Sequence, residues 1–263
     1  MIRTWVGAIW MACSAVTMGS AKAADTADAQ IVEFRQYKLV EGQRDAFVAL
    51  FDAQFVDSQE ALGMRLVGQF RDRDHTDRFT WIRAFRDMPA RERGLKDFYY
   101  GPVWQAHRNA ANPMLVDNDN VLLLRPAAPG LAFGAAPSRA PAAAAGGAVQ
   151  AVIEYLWKLP DEGFAAFFAG RMQPVLAAAG VEVTGAYVPL GEPNNFPALP
   201  IRDDRKLLIW FVRGASHDAI DAALARARGS ARWQSEVAAT LQDAEERAPQ
   251  ILRLDPTPRS ALR

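Results

Sequence analysis

The chain repeats its own order of elements. Residues 31–38 are rich in β-branched and aromatic types and read as a strand, ended by a turn at Glu41-Gly42. From Gln43 the residues Phe47, Leu50, Phe51, Phe55 and Leu62 recur at helical spacing until Gly63 supplies a stop. Strands are predicted at 65–71 and 78–85, joined by the charged hairpin 72–77, and Asp87 with Pro89 opens a second helix. After Gly101-Pro102 the helical pattern resumes through Asn112, and 121–124 is a last strand closed by Pro126. The order is βαββαβ.

The second half runs the same way. A strand at 152–157 precedes a helical stripe of Phe164, Phe167, Phe168, Met172, Val175 and Leu176, stopped by Gly180. Strands at 183–188 and 207–212, a helix opened by Ser216, the four-residue spacing of Trp233, Val237 and Leu241, and a strand at 251–254 complete it. Residues also match between the halves: Glu33 with Glu154, Phe34 with Tyr155, Phe47 with Phe167, Gly68 with Gly185, Trp104-Gln105 with Trp233-Gln234, and Leu124-Arg125-Pro126 with Leu254-Asp255-Pro256. A shared order plus this many matches indicates duplication. The predicted fold is α+β, two tandem ferredoxin-like modules. Each would have helices on one sheet face only, and each copy can cover the bare face of the other.

The expected layout is a signal peptide over 1–23, a first domain over 31–126, a linker over 127–148, a second domain over 149–256 and a tail over 257–263. The linker reading rests on an Ala/Pro/Gly-rich, nearly uncharged stretch without periodicity. The signal reading rests on Arg3, an apolar run over 6–18, and Ala21-Lys22-Ala23 as a cleavage site. That run falls short of the ~20 apolar residues of a spanning helix. Lipidation at Cys13 is the alternative, with Trp10-Met11-Ala12 a poor context for it. The expected location is the periplasm or outside the cell.

Cys13 is the sole cysteine, so the cleaved chain would carry no thiol and no disulfide. Cleavage after Ala23 removes Arg3 and Lys22 and no acid, leaving 28 basic against 30 acidic residues. A net charge of −2 gives no electrostatic case for nucleic acid or an anionic membrane.

The stretch Glu33-Phe34-Arg35-Gln36-Tyr37 followed by Gly42, then Gly68-Gln69-Phe70, the strand from Phe79 through Trp81 and Arg83 to Phe85, and Ala90-Arg91-Glu92-Arg93 together resemble the NIPSNAP family. The run from Phe98 to His107, and Asn194-Asn195-Phe196-Pro197 with Pro200 and Arg202 ahead of the strand containing Trp210, are similar to bacterial members. The resemblance spans nearly all of 31–256. It implies a pseudo-dimeric α/β barrel with helices outside, a fold that elsewhere serves cofactor-free monooxygenases and haem-handling proteins.

Candidate site residues follow from alternation and helical spacing. Glu33, Arg35 and Tyr37 share one strand face, and Phe79, Trp81, Arg83 and Phe85 share another. If these faces point into the barrel, Arg35 and Arg83 would hold an anion with Trp81 and Phe85 against its apolar part. The competing reading is that Glu33 simply pairs with Arg35 or Arg83 across the sheet. Tyr100, Trp104 and His107 fall on one helical face, where His107 is a proton carrier or a structural histidine. The segment 194–202, with Asn195 and Arg202, either folds over a barrel opening or is a plain surface loop.

Three dispersed histidines without His-x-His or His-x-x-x-His spacing give no metal signal, and no nucleophile elbow, P-loop or dinucleotide fingerprint occurs. No cofactor is expected, with a haem on His107 as the weaker alternative. The leading functional expectation is binding of a small organic molecule in a barrel cavity, cofactor-free chemistry being its enzymatic form. The alternative is a non-enzymatic interaction module whose barrel is filled by its own side chains. One chain is expected to act as a pseudo-dimer, either monomeric or as a homodimer.

Overall fold

Residues 31–134 and 146–263 are described by the structure, a computed structural model. The amino-terminal segment read as a signal peptide lies outside them. In the first half, β1 (Ile31–Leu39) leads into α1 (Arg44–Leu50), a π-helical turn (Phe51–Phe55) and α2 (Val56–Glu60). Then come β2 (Arg65–Asp72), β3 (Arg78–Phe85), α3 (Met88–Tyr99), α4 (Pro102–Ala111) and β4 (Leu115–Pro126). The second half has β5 (Ala148–Leu156), α5 (Glu162–Phe167), a π-helical turn (Phe168–Met172), α6 (Gln173–Ala178), β6 (Glu182–Pro189) and β7 (Leu207–Gly214). It closes with α7 (His217–Gly229), α8 (Ala231–Glu236), α9 (Ala238–Ala244) and β8 (Glu245–Pro256).

The eight strands form one closed antiparallel barrel in the order β1-β3-β2-β8-β5-β7-β6-β4, with β4 returning to β1. Each half contributes four adjacent strands. The two seams are short: Phe70, Arg71 and Asp72 pair with Pro256, Asp255 and Leu254, while Tyr187, Val188 and Pro189 pair with Pro126, Arg125 and Leu124. The α+β barrel of two ferredoxin-like modules is therefore realised within one chain.

Local chemistry explains where the helices begin and stop. Asp87 caps α3 by accepting from the Ala90 amide at 2.7 Å, and Ser216 caps α7 by accepting from the Ala219 amide at 3.1 Å. Gly63 and Gly180 follow the first helix of each half with φ of 79° and 81°, a left-handed conformation that suits glycine. β4 and β8 extend further toward their starts than apolar pattern indicates. Their early residues, such as Asp117 opposite Lys38, are polar edge positions paired by backbone.

Strand alternation sends one residue set inward and the other under the helices. Val32, Phe34, Ile82, Ile153, Ile209 and Phe211 belong to an apolar cluster drawn from both sheets, which fills the barrel. The opposite faces pack against α1–α4 in the first half and α5–α9 in the second.

The segments after β4 and β8 are packed in place. Of the stretch read as a linker, Ala127, Leu131 and Phe133 are buried, and the Phe133 amide donates to the Tyr187 hydroxyl at 2.6 Å. In the stretch read as a tail, the amides of Thr257 and Leu262 donate to the carbonyls of Gln69 and Val67, both at 2.8 Å. These two segments cover Gly185 and Gly68, which sit at register shifts in β6 and β2.

The register also corrects the matching of the two copies. Gly68 and Gly185 oppose Ile82 and Phe211, so Trp81 corresponds to Trp210. Arg35 opposes Trp81 and Val152 opposes Trp210, which makes Arg35 equivalent to Val152, Glu33 to Gln150 and Tyr37 to Glu154. The letter match of Glu33 with Glu154 is thus four residues out of phase, and that of Phe34 with Tyr155 likewise. Aligning the two π-helical turns pairs Phe47 with Phe164 rather than Phe167.

A Cβ on Gly185 would stand 2.8 Å from the Tyr187 ring and 3.1 Å from that of Phe133. Gly185→Ala is expected to lower unfolding stability by about 1–3 kcal/mol through overpacking. Urea denaturation checks this; a midpoint equal to that of the parent would contradict the packing described.

Candidate functional site

The first half's helix-facing sheet surface carries charge at its centre. Glu33 on β1, Arg35 on β1, Arg83 on β3 and Arg91 on α3 are all wholly buried. The Arg83 Nε donates to Glu33 Oε2 at 2.7 Å, the Arg35 guanidinium donates to the same oxygen at 2.9 Å, and the Arg91 Nε donates to Oε1 at 2.7 Å. Both carboxylate oxygens are thereby engaged by guanidinium groups. Arg35 Nε also donates to the Tyr37 hydroxyl at 3.0 Å, and Arg83 donates to Gln59 Oε1 at 2.9 Å.

The shifts follow from this crowding. Burial alone would push the Glu33 carboxyl up, but Arg83, Arg35 and Arg91 outweigh it and hold it well below the usual carboxylate range. Burial disfavours the charged form of Arg35, yet Tyr37 and Glu33 hold its affinity for the proton above the ordinary value. Burial dominates at Tyr37 and at Arg91, raising the phenol and lowering the guanidinium.

These residues face the helix layer, not the barrel interior. The barrel-facing placement considered from sequence is corrected on this point. Alternation puts Val32 and Phe34 inside and Glu33, Arg35 and Tyr37 outside, and the interior is already occupied by apolar side chains. The pairing of Glu33 with both Arg35 and Arg83 does form.

Beside the cluster, between the sheet and α1–α4, lies a pocket of about 360 Å³. Trp81 and Tyr37 belong to its sheet side, Phe51, Phe55, Gln59 and Phe98 to its helical side. Trp104 closes over Phe55 and Phe98, with ring centroids 5.5 and 5.9 Å away. The long β6–β7 loop supplies the remaining wall: Phe196 is buried and stacks on Tyr99 at 5.9 Å. Gly68 to Trp81 is 13 residues and Gly185 to Trp210 is 25, so this loop is the second copy's insertion, and it covers the first copy's site.

The loop is also tied to the charge cluster. Arg91 donates to the side-chain oxygens of Asn194, at 3.1 Å, and Asn195, while Asn195 Nδ2 donates to the Met88 carbonyl at 2.7 Å.

The other candidates divide. Tyr100 lines the pocket but is 69% exposed, and it caps the end of α3 instead of sharing a helix with Trp104 and His107. Gly101 separates the two helices. His107 is half-buried with its ring 6.3 Å from that of Phe55 and is not part of the pocket wall. Arg202 is not brought to the site; its guanidinium pairs with Asp204.

Sequence reasoning missed Arg91, Gln59, Asn194 and Tyr99. The signal for Arg91 was present: Arg91, Leu95 and Phe98 share one helical face, and all three are buried. Among the described residues no group of three or more His, Cys, Asp or Glu could hold a metal ion. No helix among them is long and apolar enough to cross a membrane.

The second half provides an internal comparison. At the positions of Arg35, Arg83 and Arg91 stand Val152, Val212 and Ile220, and Leu176 takes the place of Gln59. Phe168, Met172, Leu176, Trp210 and Trp233 pack there as one apolar cluster. Glu154, at the position of Tyr37, accepts from Trp210 Nε1 at 3.0 Å. Burial, with the neighbouring Glu245 adding to it, pushes the Glu154 carboxyl up to about 8.

The architecture is that of the α/β-barrel proteins made of paired ferredoxin-like halves, here with one charged, pocketed helix layer and one apolar one. Residues 32–129, within the first half of the barrel, match the NIPSNAP family model. It superposes over 87% of its length on 94% of a candidate monooxygenase from Lactobacillus acidophilus, with a TM-score of 0.55 and 14% identity. A second candidate monooxygenase, from Fusobacterium nucleatum, is covered over 92% by 87% of this chain, with a TM-score of 0.56 and 9% identity. A NIPSNAP domain protein of Burkholderia xenovorans aligns over 95% of its chain with 37% of this one, at 23% identity and a TM-score of 0.34. No curated protein matches the chain in sequence. At these identities the first two likenesses are of fold alone.

Two titrations test the electrostatics. Glu33→Gln leaves three buried guanidinium groups without a counter-ion and is expected to cost about 3–5 kcal/mol at neutral pH. Because folding depresses this carboxyl, its stabilising share is present above the unfolded value and lost as pH falls toward the folded one. The gap between variant and parent should therefore shrink on acidification; a gap constant from pH 7 to 3 would contradict the assignment.

Glu154 has the opposite sign. Its raised folded value gives stability that is full below the unfolded value and lost as pH rises through about 8. Glu154→Gln is expected to lose less stability than the parent between pH 6 and pH 9, as read by thermal unfolding across that window.

Proposed function

We propose that the chain binds a small organic molecule in the pocket between its first sheet and α1–α4. The observation that carries this reading is the ring-walled space of about 360 Å³, within the ~300–1,000 Å³ of small-molecule sites. The second half gives it weight, because the same layer there is packed with Phe168, Met172 and Leu176. One copy has kept space that the other has filled.

The filled barrel moves the ligand away from the barrel axis, where sequence reasoning had put it. The same filled barrel would also suit the alternative, a module that works only by contact with other proteins. The pocket favours the first reading.

An enzymatic form of it would be cofactor-free chemistry on the bound molecule, with the phenols of Tyr37 and Tyr99 as the groups at hand. No cofactor enters the proposal. A haem on His107 has least support, since that ring packs on Phe55 and is not part of the pocket wall. We place the protein in the periplasm or outside the cell on the strength of Arg3, the apolar run 6–18 and Ala21-Lys22-Ala23. A barrel that closes within one chain supports action as a monomer.

Native mass spectrometry of residues 24–263 purified from the source organism, beside Leu199→Trp, tests the reading. Leu199 lines the pocket and is half-buried, so an indole there narrows the opening. A retained small molecule is expected in the parent and not in the variant. An apo mass in both, with no compound of an aromatic library raising the melting temperature, would move the interaction module ahead.

A further inference from the structure

Three buried arginines surround one buried glutamate, and these ion pairs leave two positive charges uncompensated. Arg35, Arg83 and Arg91 form ion pairs only with Glu33 among the described residues. The surplus stands next to the pocket. Arg83 and Arg35 lie 4.9 and 5.4 Å from the Trp81 ring, Arg35 lies 5.5 Å from Tyr37 and Arg83 lies 5.8 Å from Tyr99. All three rings line the pocket, so the charge sits one ring behind its wall.

Among the described residues no carboxylate lines the pocket, and the one charged lining residue is Arg108. A cleft of one sign with low-dielectric walls concentrates the opposite charge. Burying unbalanced cations is costly, and a counter-ion within the pocket offsets that cost.

A second observation points to the same place. The Trp81 indole N–H is buried and has no acceptor among the described residues. In the second half the equivalent Trp210 donates to Glu154, so the copy without the arginines supplies its own carboxyl oxygen to the indole. The first half has Tyr37 at that position, and Tyr37 is engaged with Arg35. A carboxylate brought by a ligand would complete what Glu154 completes internally.

We propose that the pocket takes an aromatic carboxylate, its ring among Phe51, Phe55, Phe98 and Trp104. Its carboxylate accepts from the Trp81 indole in the field of Arg35 and Arg83. A carboxylate suits this site because the buried donor left without a partner among the lining residues is a single N–H, that of the Trp81 indole. This rests on the pocket being the ligand site.

Isothermal titration of residues 24–263 at pH 7.5 with 1-naphthoate, 1-naphthalenemethanol and 1-naphthylmethylamine tests it. The acid is expected to bind at least tenfold tighter than the alcohol, with no binding of the amine. Trp81→Phe, which keeps a ring but removes the donor, should reduce the acid's advantage severalfold. Glu33→Gln raises the charge surplus, so naphthoate should raise its melting temperature by more than it raises the parent's, whatever the variant's own stability. An alcohol that binds as tightly as the acid overturns the charge assignment and leaves the pocket as a ligand site. Failure of all three compounds to bind counts against the pocket itself, and so against both readings.

Discussion

The closed barrel rests on mutual cover between two sheets that each have one bare face. A four-stranded antiparallel sheet with helices on one side leaves a second apolar surface toward water. Here Val32, Phe34 and Ile82 of one half meet Ile153, Ile209 and Phe211 of the other. At ~25 cal/mol per Å² of apolar area, this face-to-face burial holds the halves together. The seams alone, three residue pairs each, are too short to do so. Because the interior is used for this purpose, the ring-walled pocket lies elsewhere, under the helices of the first half.

Much of the fold was legible because periodicity and punctuation agreed. Asp87, Pro89, Ser216, Gly63 and Gly180 each do in the structure what their chemistry predicts. The direction of the sheet faces was less legible. Alternation sorts Glu33, Arg35 and Tyr37 from Val32 and Phe34, but a sheet buried on both sides has no wet face to tell inside from outside. The charged set looked like a cavity lining and is in fact the floor of a helix layer.

The copy alignment failed for a related reason. Glu33-Phe34 and Glu154-Tyr155 are alike in letters, yet backbone register pairs Glu33 with Gln150. A four-residue slip keeps an even spacing, so each side chain stays on its own face and the pattern raises no objection. The slip mattered for function: it hid that the arginines of one copy meet valines and an isoleucine in the other. Arg91 was legible only through its helical neighbours Leu95 and Phe98, since a lone arginine in a basic run reads as solvent-exposed.

Two unequal halves in one barrel accommodate a costly arrangement in a protein of ordinary composition. The second half, with Trp210 satisfied by Glu154 and the arginine positions apolar, supplies packing without unbalanced charge. It also contributes its longer β6–β7 loop, whose Asn194 and Asn195 accept from Arg91 and whose Phe196 seals the helix layer of the other half. The two copies have therefore become unequal in a coordinated way. One carries the charge, the pocket and the unsatisfied indole; the other carries packing and the loop that encloses them. A symmetric pair would need either two such unbalanced clusters or none, and a single chain holding both halves is what allows one.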